Sequence, residues 1–190
     1  MADQPDPLGS TVAPDPTPDQ APTSFNDVVV LAVLDEGPAH GFALSRQFDA
    51  GSDLGRIVTL ARPQVYRSLD RLAIAGLIEA ITVEPGDGAP KRTVFASTEG
   101  GAAAVAAWLA EPVAHVRDLR VPFLAKLRLL ERRGASPTEL LTAQRAALGP
   151  TLDQLIAAGD VGDTGQPVDV VDRWRAHNAE AVARFLTDVD

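Results

Sequence analysis

The stretch RPQVYRSLDRLAIAGLIEA, from Arg62 to Ala80, constrains the fold of this chain more than any other. Apolar residues such as Val65 and Leu69 recur in it at the spacing of one face of an α-helix. Pro63 suits the first turn, because its missing N–H would have no partner there. The sequence therefore predicts a short amphipathic helix that starts near Pro63 and ends at Gly76, since glycine readily takes the left-handed conformation of a helix end.

The outward stripe of this predicted helix is polar and basic. Its members lie at positions i, i+3, i+4 and i+7: Gln64, Arg67, Ser68 and Arg71. Between Arg56 and Arg71 there are four arginines against one aspartate, a local charge of +3, whereas the whole chain carries -9. The acidic total argues against non-specific nucleic-acid binding through overall charge, so the basic stripe needs a local explanation.

Two further helices are predicted before this one. Ser24 and Asp27 have the spacing of a capped helix start, and the apolar run that follows ends before Gly37-Pro38. The second helix is predicted from about His40 to Ala50. Its large apolar side chains should lie mostly inward: Phe42, Leu44 and Phe48.

Two short strands are predicted after the third helix, over residues 77–83 and 93–97. The residues between them are rich in Gly and Pro and must turn, so the strands form a hairpin. Three helices followed by a hairpin is the order of a winged helix-turn-helix, in which the third helix enters the DNA major groove.

Helices dominate the rest of the chain. A fourth is predicted from Thr98 to Leu109, and a fifth has the apolar face Phe123, Leu124, Leu127 and Leu130. Ser136-Pro137 opens another that reaches about residue 158, with a kink or break predicted at Gly149-Pro150. A last helix is predicted over residues 168–187, with four residues on one side: Val171, Trp174, Ala181 and Phe185. We expect a mostly α fold.

Three segments together resemble the PadR family of bacterial transcriptional regulators. They are GPAHGFAL at 37–44, PQVYRSLDRLAIAGLIE at 63–79 and KRTVFASTEGGAAAVAAWL at 91–109. The resemblance implies a homodimeric, repressor-type DNA-binding protein with a winged helix-turn-helix over 25–111 and a helical dimerisation domain, with a possible effector role, over 112–190. Departures from the family pattern are Phe95, Ala96 and the sequence Arg62-Pro63-Gln64, so base preference does not carry over.

Residues 1–24 differ in composition from the rest of the chain. They hold six prolines and four aspartates, with no lysine or arginine. Such a segment cannot bury enough apolar surface to offset the entropy lost on ordering, so we predict a disordered acidic, proline-rich tail.

Each candidate DNA contact has a structural alternative. Arg67 and Arg71 could pair with guanine edges or hold phosphates, and Gln64 could pair with adenine. The hydroxyl of Tyr66 could reach a phosphate, or its ring could simply pack. Ser68 is small enough to let the backbone approach DNA. The remaining candidates are phosphate or minor-groove contacts: Arg56, Arg62, His40, Lys91 and Arg92.

The apolar residues of the C-terminal half have two interpretations. They could pack the helices against each other or across a dimer, or they could line a pocket for a small apolar or aromatic effector near the dimer interface. The candidates are Trp108, Phe123, Leu127, Trp174 and Phe185.

Other classes of function find little support in the sequence. The chain has no Cys, three scattered His, no Gly-rich phosphate loop and no nucleophile motif, so we expect no enzyme, metal site or cofactor. It has no apolar run long enough to span a bilayer and no secretory signal, which predicts a cytoplasmic protein. The alternative to a DNA-binding regulator is a winged helix that binds another protein, which the acidic total would favour.

Overall fold

The computed structural model describes residues 24–84, 92–160 and 169–189. The predicted tail, apart from Ser24, lies outside these ranges, as does most of the turn between the two predicted strands. Among the described residues, no helix is both long and apolar enough to cross a membrane.

The first helix, α1, spans Phe25–Leu34 and is the centre of the N-terminal core. Ser24 caps it as predicted, because its Oγ accepts a hydrogen bond from the backbone N–H of Asp27 at 3.3 Å. Every residue from Asp27 to Leu34 is buried, so the helix is surrounded by protein on all sides. The carboxylate of Asp27 is therefore an exception in an otherwise apolar element.

The second helix, α2, spans Gly41–Arg46 and follows a two-residue strand, β1, at Ala39–His40. The prediction that Phe42 lies inward is wrong: it is 37% exposed, whereas Leu44 and Phe48 are buried. Because α2 begins at Gly41, its inward positions are those of Gly41, Leu44 and Ser45, and Phe42 falls on the flank.

The third helix, α3, spans Arg62–Ile74, and two antiparallel strands follow it, β2 at Ile78–Glu84 and β3 at Arg92–Ser97. Gly76 has a φ of 69° between helix and strand, as expected for a helix end. The sheet order is β1-β3-β2, with Ala39 opposite Phe95 and Ile78 opposite Ser97. These elements form the predicted winged helix-turn-helix.

Helices form the rest of the fold. They are α4 at Glu99–Ala110, α5 at Pro122–Arg132, α6 at Thr138–Asp160 and α7 at Val170–Asp188, with a short 3₁₀ turn at Val116–Leu119. The break predicted at Gly149-Pro150 is absent, because α6 runs through Pro150 as one helix. A proline inside a helix removes one backbone donor, and a helix of 23 residues tolerates that loss where the rest of its hydrogen bonds persist.

The helix α5 joins two clusters of buried residues. Its Ala125 and Leu129 pack in the N-terminal cluster around α1, while Phe123 packs in the cluster between α6 and α7. Its C-terminal arginines also bind the end of α1: Arg133 lies 2.9 Å from Asp35, and Arg132 lies 2.6 Å from Glu36. The helix α5 therefore ties the winged helix to the C-terminal helices.

The last helix buries a face other than the side that carries the four residues grouped in the sequence. Its inward residues are small or aliphatic: Ala176, Ala179 and Leu186. Val171, Trp174 and Phe185 are exposed by 47%, 66% and 37%. The small inward residues let α7 approach α6 closely, and the large apolar side chains consequently face outward.

Candidate nucleic-acid interface

The third helix, α3, has a buried and an exposed side. Val65, Leu69 and Leu72 are at most 2% exposed and pack in the core around α1. The polar and charged residues of the exposed side are five: Arg62, Tyr66, Arg67, Asp70 and Arg71. The buried side fixes the rotation of the helix, so these side chains are presented together.

The N-terminus of α3 is closed by Gln64. Its Oε1 accepts a hydrogen bond from the backbone N–H of Ala61 at 2.8 Å, which is the return half of a capping box. Ala61 has no side-chain oxygen to supply the other half. A bidentate pair between Gln64 and adenine needs the same amide oxygen, so that predicted contact requires the cap to open.

A cluster of a cation and two rings lies beside this terminus. The guanidinium of Arg62 stands 4.7 Å from the centre of the Phe42 ring, and the His40 ring stacks on Phe42 at 6.3 Å. His40 also caps α2, because its Nδ1 accepts from the backbone N–H of Ala43 at 3.1 Å. That bond assigns the ring proton to Nε2 in the neutral form, which leaves Nε2–H as a donor.

Tyr66 covers the start of α2. A Cβ built on Gly41 would lie 2.8 Å from the ring atoms Cε1 and Cζ of Tyr66, so glycine is what allows the ring to approach this closely. The side chain is nevertheless 44% exposed. Packing and a role in binding are thus compatible, since one ring surface meets protein while the rest of the residue meets solvent.

Arg67 is an exposed member of the predicted base-reading residues. Its Nε donates to the carbonyl of Pro63 at 3.2 Å, one turn earlier on the helix. Within the described ranges, its terminal nitrogens have no hydrogen bond. The contact orients the side chain along α3 and leaves both terminal amino groups for a partner.

Two predicted members of the outward stripe are placed differently. Ser68 is fully buried at 0% exposure, so the prediction that it lies on the outward stripe is wrong. It faces the core side of α3. Arg71 binds the buried carboxylate of Asp27, with Nε at 3.0 Å from Oδ2 and Nη2 at 2.5 Å from Oδ1. The hydrogen bond to Asp27 raises the pKa of Arg71 above its ordinary value, although burial acts against it.

The other predicted DNA contacts lie on separate parts of the surface. Arg92 is exposed at the start of β3, opposite Glu84 in the ladder of the wing. Lys91 lies outside the described residues. Arg56 lines a cleft of about 420 Å³ together with Leu127 and Phe185, so the structure directs it toward the C-terminal helices instead of grouping it with Arg62 and Arg67.

Sequence reasoning missed two residues of this region. Asp27 stands 44 positions before Arg71, and nothing in the spacing connects them. Phenylalanine is usually a core residue, so the sequence predicted that Phe42 lies inward. Because α2 begins at Gly41, Phe42 lies on the flank of the helix, beside Arg62. The position of Asp27 at the head of seven apolar residues was the one available signal, because a carboxylate buried there must find a partner.

The five C-terminal candidates do not share one pocket. Phe123 is fully buried in the second cluster, which fits the packing alternative for this residue. Trp108 packs against Phe25 at 6.4 Å and lines a cleft of about 680 Å³. Trp174 and Phe185 line another, largely apolar cleft of about 750 Å³. Leu127 belongs to the cleft that contains Arg56.

The geometry defines a class of protein. A buried first helix, a recognition helix with an exposed basic side and an antiparallel wing are the parts of a winged helix-turn-helix. Among the described residues there is no group of three His, Cys, Asp or Glu side chains that could hold a metal ion.

Residues 30–107 match the model of the transcriptional regulator PadR-like family. The resemblance found in the sequence is therefore confirmed over this winged-helix part of the chain. A curated relative is the probable transcriptional regulator Rv1176c of Mycobacterium tuberculosis, 33% identical over 91 residues, which are 48% of this chain and 47% of the relative. The chain thus spans about half the length of that relative.

Two solved structures are similar in fold. Bacillus subtilis PadR, in a crystal structure with operator DNA, is 16% identical with a TM-score of 0.47, and the match covers 88% of this chain and 97% of that one. A PadR family transcription regulator from Clostridium difficile R20291 is 14% identical with a TM-score of 0.38, over 58% of this chain and 98% of that one.

Proposed function

We propose that this protein is a sequence-specific DNA-binding transcriptional regulator that acts as a repressor. The observation that carries the proposal is the exposed side of α3, where Arg62, Tyr66 and Arg67 stand together on a helix fixed by its buried side. A helix of this kind fits the major groove, and arginine is the side chain that pairs best with guanine edges and phosphates. The family match over residues 30–107 supports the same function.

The regulator would bind a palindromic operator as a homodimer. In this arrangement each α3 enters a major groove about one helical turn from its mate. The outward apolar side of α7 supports the proposal of a dimer, because Trp174 and Phe185 are large hydrophobic residues left uncovered in a single chain. A surface of this kind is typical of contacts between subunits.

A small apolar or aromatic effector would release the DNA. The cleft lined by Trp174, Phe185 and Leu155 supports this part of the proposal, because most of its lining is apolar and three arginines stand at it: Arg117, Arg120 and Arg175. Apolar clefts with a few polar groups are the common form of small-molecule sites. This cleft adjoins the proposed dimer contact, so an occupant there would alter the spacing of the two recognition helices.

The test uses the promoter region of the gene itself and a random duplex of equal length. Wild-type protein should prefer the promoter, and its affinity should fall steeply with salt because arginines displace counterions from DNA. Arg67→Ala should weaken promoter binding by roughly 1–3 kcal/mol with a smaller effect on the random duplex. The matched control is Arg184→Ala, which removes the same charge from the exposed surface of α7.

Two outcomes would go against the proposal. Absence of any promoter preference at low salt would rule out a sequence-specific regulator and favour the protein-binding alternative, whose affinity for DNA should be negligible. Equal losses on both duplexes for Arg67→Ala would assign that residue to phosphate instead of a base.

A further inference from the structure

The ion pair between Asp27 and Arg71 uses only one side of the arginine. The carboxylate faces the edge formed by Nε and Nη2, at 3.0 Å and 2.5 Å from its two oxygens. Asp27 is 1% exposed, whereas the Arg71 side chain is 46% exposed. The acid is therefore fixed inside the protein while the guanidinium that it holds reaches the surface.

The other edge of the guanidinium remains available. Arginine presents five N–H donors, and the end formed by Nη1 and the second hydrogen of Nη2 can make a separate bidentate contact. Ser68 Oγ lies 3.4 Å from Nη2, a long contact that would hold the plane only weakly. Nη1 has no hydrogen bond within the described residues, so it is free to donate outward.

We infer that Asp27 is a positioning residue for DNA binding, which fixes the plane of Arg71 so that its outer edge clamps a phosphate. The inference rests on the proposed function. Arg71 stands in the last turn of α3, whereas recognition helices contact base edges through their N-terminal residues, so backbone phosphate is the group that the last turn meets. A bidentate Arg–phosphate pair depends on orientation, which the buried carboxylate supplies.

The inference is testable because a charge role and an orienting role for Asp27 predict opposite changes in DNA affinity when Asp27 is removed. If Asp27 acted only through its charge, removing it would add one positive charge near DNA and strengthen binding. If Asp27 orients Arg71, removing it frees the guanidinium and weakens binding in spite of the added charge. A merely structural role would lower thermal stability and leave the affinity of the folded protein unchanged.

The experiment measures binding of the full chain to a random-sequence duplex by fluorescence anisotropy at low salt, with thermal unfolding in parallel. Asp27→Asn should lower the affinity roughly tenfold, the effect of a hydrogen bond to a charged group. The control Asp70→Asn removes the same charge from an exposed neighbour on α3 and should bind random DNA as well as or better than wild type. The promoter duplex should show the same loss for Asp27→Asn, since a phosphate contact carries no sequence information.

A second variant covers the case in which Asp27→Asn does not fold. Arg71→Lys keeps the net charge and can keep the ion pair, but a lysine cannot bind Asp27 and present a second edge at once. It should also lose affinity for both duplexes. Folded Asp27→Asn protein that binds as tightly as wild type, an unchanged Arg71→Lys, or a loss confined to the promoter would each overturn the inference. Wild-type protein that binds neither duplex would instead overturn the proposed function, and the inference with it.

Discussion

Lys126 is the clearest case of a single residue whose environment opposes its charge. It is 2% exposed on α5, its Nζ donates to the backbone carbonyl of Glu111, and it stands 4.9 Å from the centre of the Trp108 ring. Burial lowers the pKa of Lys126 below its ordinary value, while the charge of Glu111 acts in the opposite direction. Desolvation is thus the larger effect, so keeping Lys126 charged at neutral pH destabilises the folded protein.

Lys126→Met is expected to remove a pH dependence from stability. The folded pKa lies below the unfolded one, so between these two values the unfolded chain binds more protons and the free energy of unfolding rises with pH. Wild-type protein should therefore gain stability relative to the Lys126→Met variant as pH rises through that window. Urea unfolding of both proteins from pH 7 to pH 10 would measure it. Parallel profiles would show that the ammonium is well solvated in the folded state.

At the scale of single residues, the helical period of the sequence predicts which side chains are exposed. It does not predict which side chains pair with residues that are distant in the chain. The exposure of Arg62 and Arg67 follows from the apolar residues on the other side of α3. The ion pair of Arg71 with Asp27 does not follow from it, because Asp27 lies on another helix. The phase argument also misplaces Ser68, since a boundary position can turn inward when the neighbouring helix leaves room for a small side chain.

Among the elements, α4 shows how close packing limits sequence. Two adjacent glycines lie in its first turn, and they differ in their surroundings. A Cβ on Gly101 would stand 2.1 Å from the backbone carbonyl oxygen of Leu77 and 2.7 Å from Ser97 Oγ, whereas a Cβ on Gly100 would meet nothing nearer than 3.8 Å. Gly101 lets α4 rest on the wing, and Gly100 has no such role.

The substitutions Gly101→Ala and Gly100→Ala should therefore act in opposite directions. Alanine favours a helix over glycine by about 1 kcal/mol, and this gain applies to both. At Gly101 the backbone of Leu77 cannot yield cheaply, so a net loss of about 1–3 kcal/mol is expected from overpacking. Chemical denaturation of the two variants measures the difference. Equal stabilities would mean that α4 can shift away from the wing without cost.

Most elements could be predicted from capping residues and hydrophobic period, and the exceptions have physical causes. The start of α4 followed from Thr98, whose Oγ1 does accept from the N–H of Gly101. The two-residue strand β1 could not be predicted, because it exists only through pairing with β3. Pro150 is an exception of the opposite kind, because the helix continues through it although proline disfavours a helix interior.

At the scale of the whole molecule, the outer side of α7 is an exposed apolar surface. That helix supplies its small residues to the second core and turns Trp174 outward, with 66% of it exposed. A large apolar side chain left in water forfeits the free energy that burial would give, on the order of 2 kcal/mol for a residue of this size. The proposed contact between two copies of the chain would recover it.

Trp174→Asp should convert the proposed dimer into a folded monomer. The change places a charge on the proposed contact but leaves the inward residues Ala176, Ala179 and Leu186 untouched, so unfolding temperature at low concentration should change little. Sedimentation velocity measures the oligomeric state, and the control Arg184→Asp sets the same carboxylate on a different flank of α7. Because a dimer joins two half-site contacts, the monomer should also bind a palindromic promoter about a hundredfold more weakly. A variant that sediments as a dimer would move the contact away from Trp174, and a monomeric wild type would contradict the dimer itself.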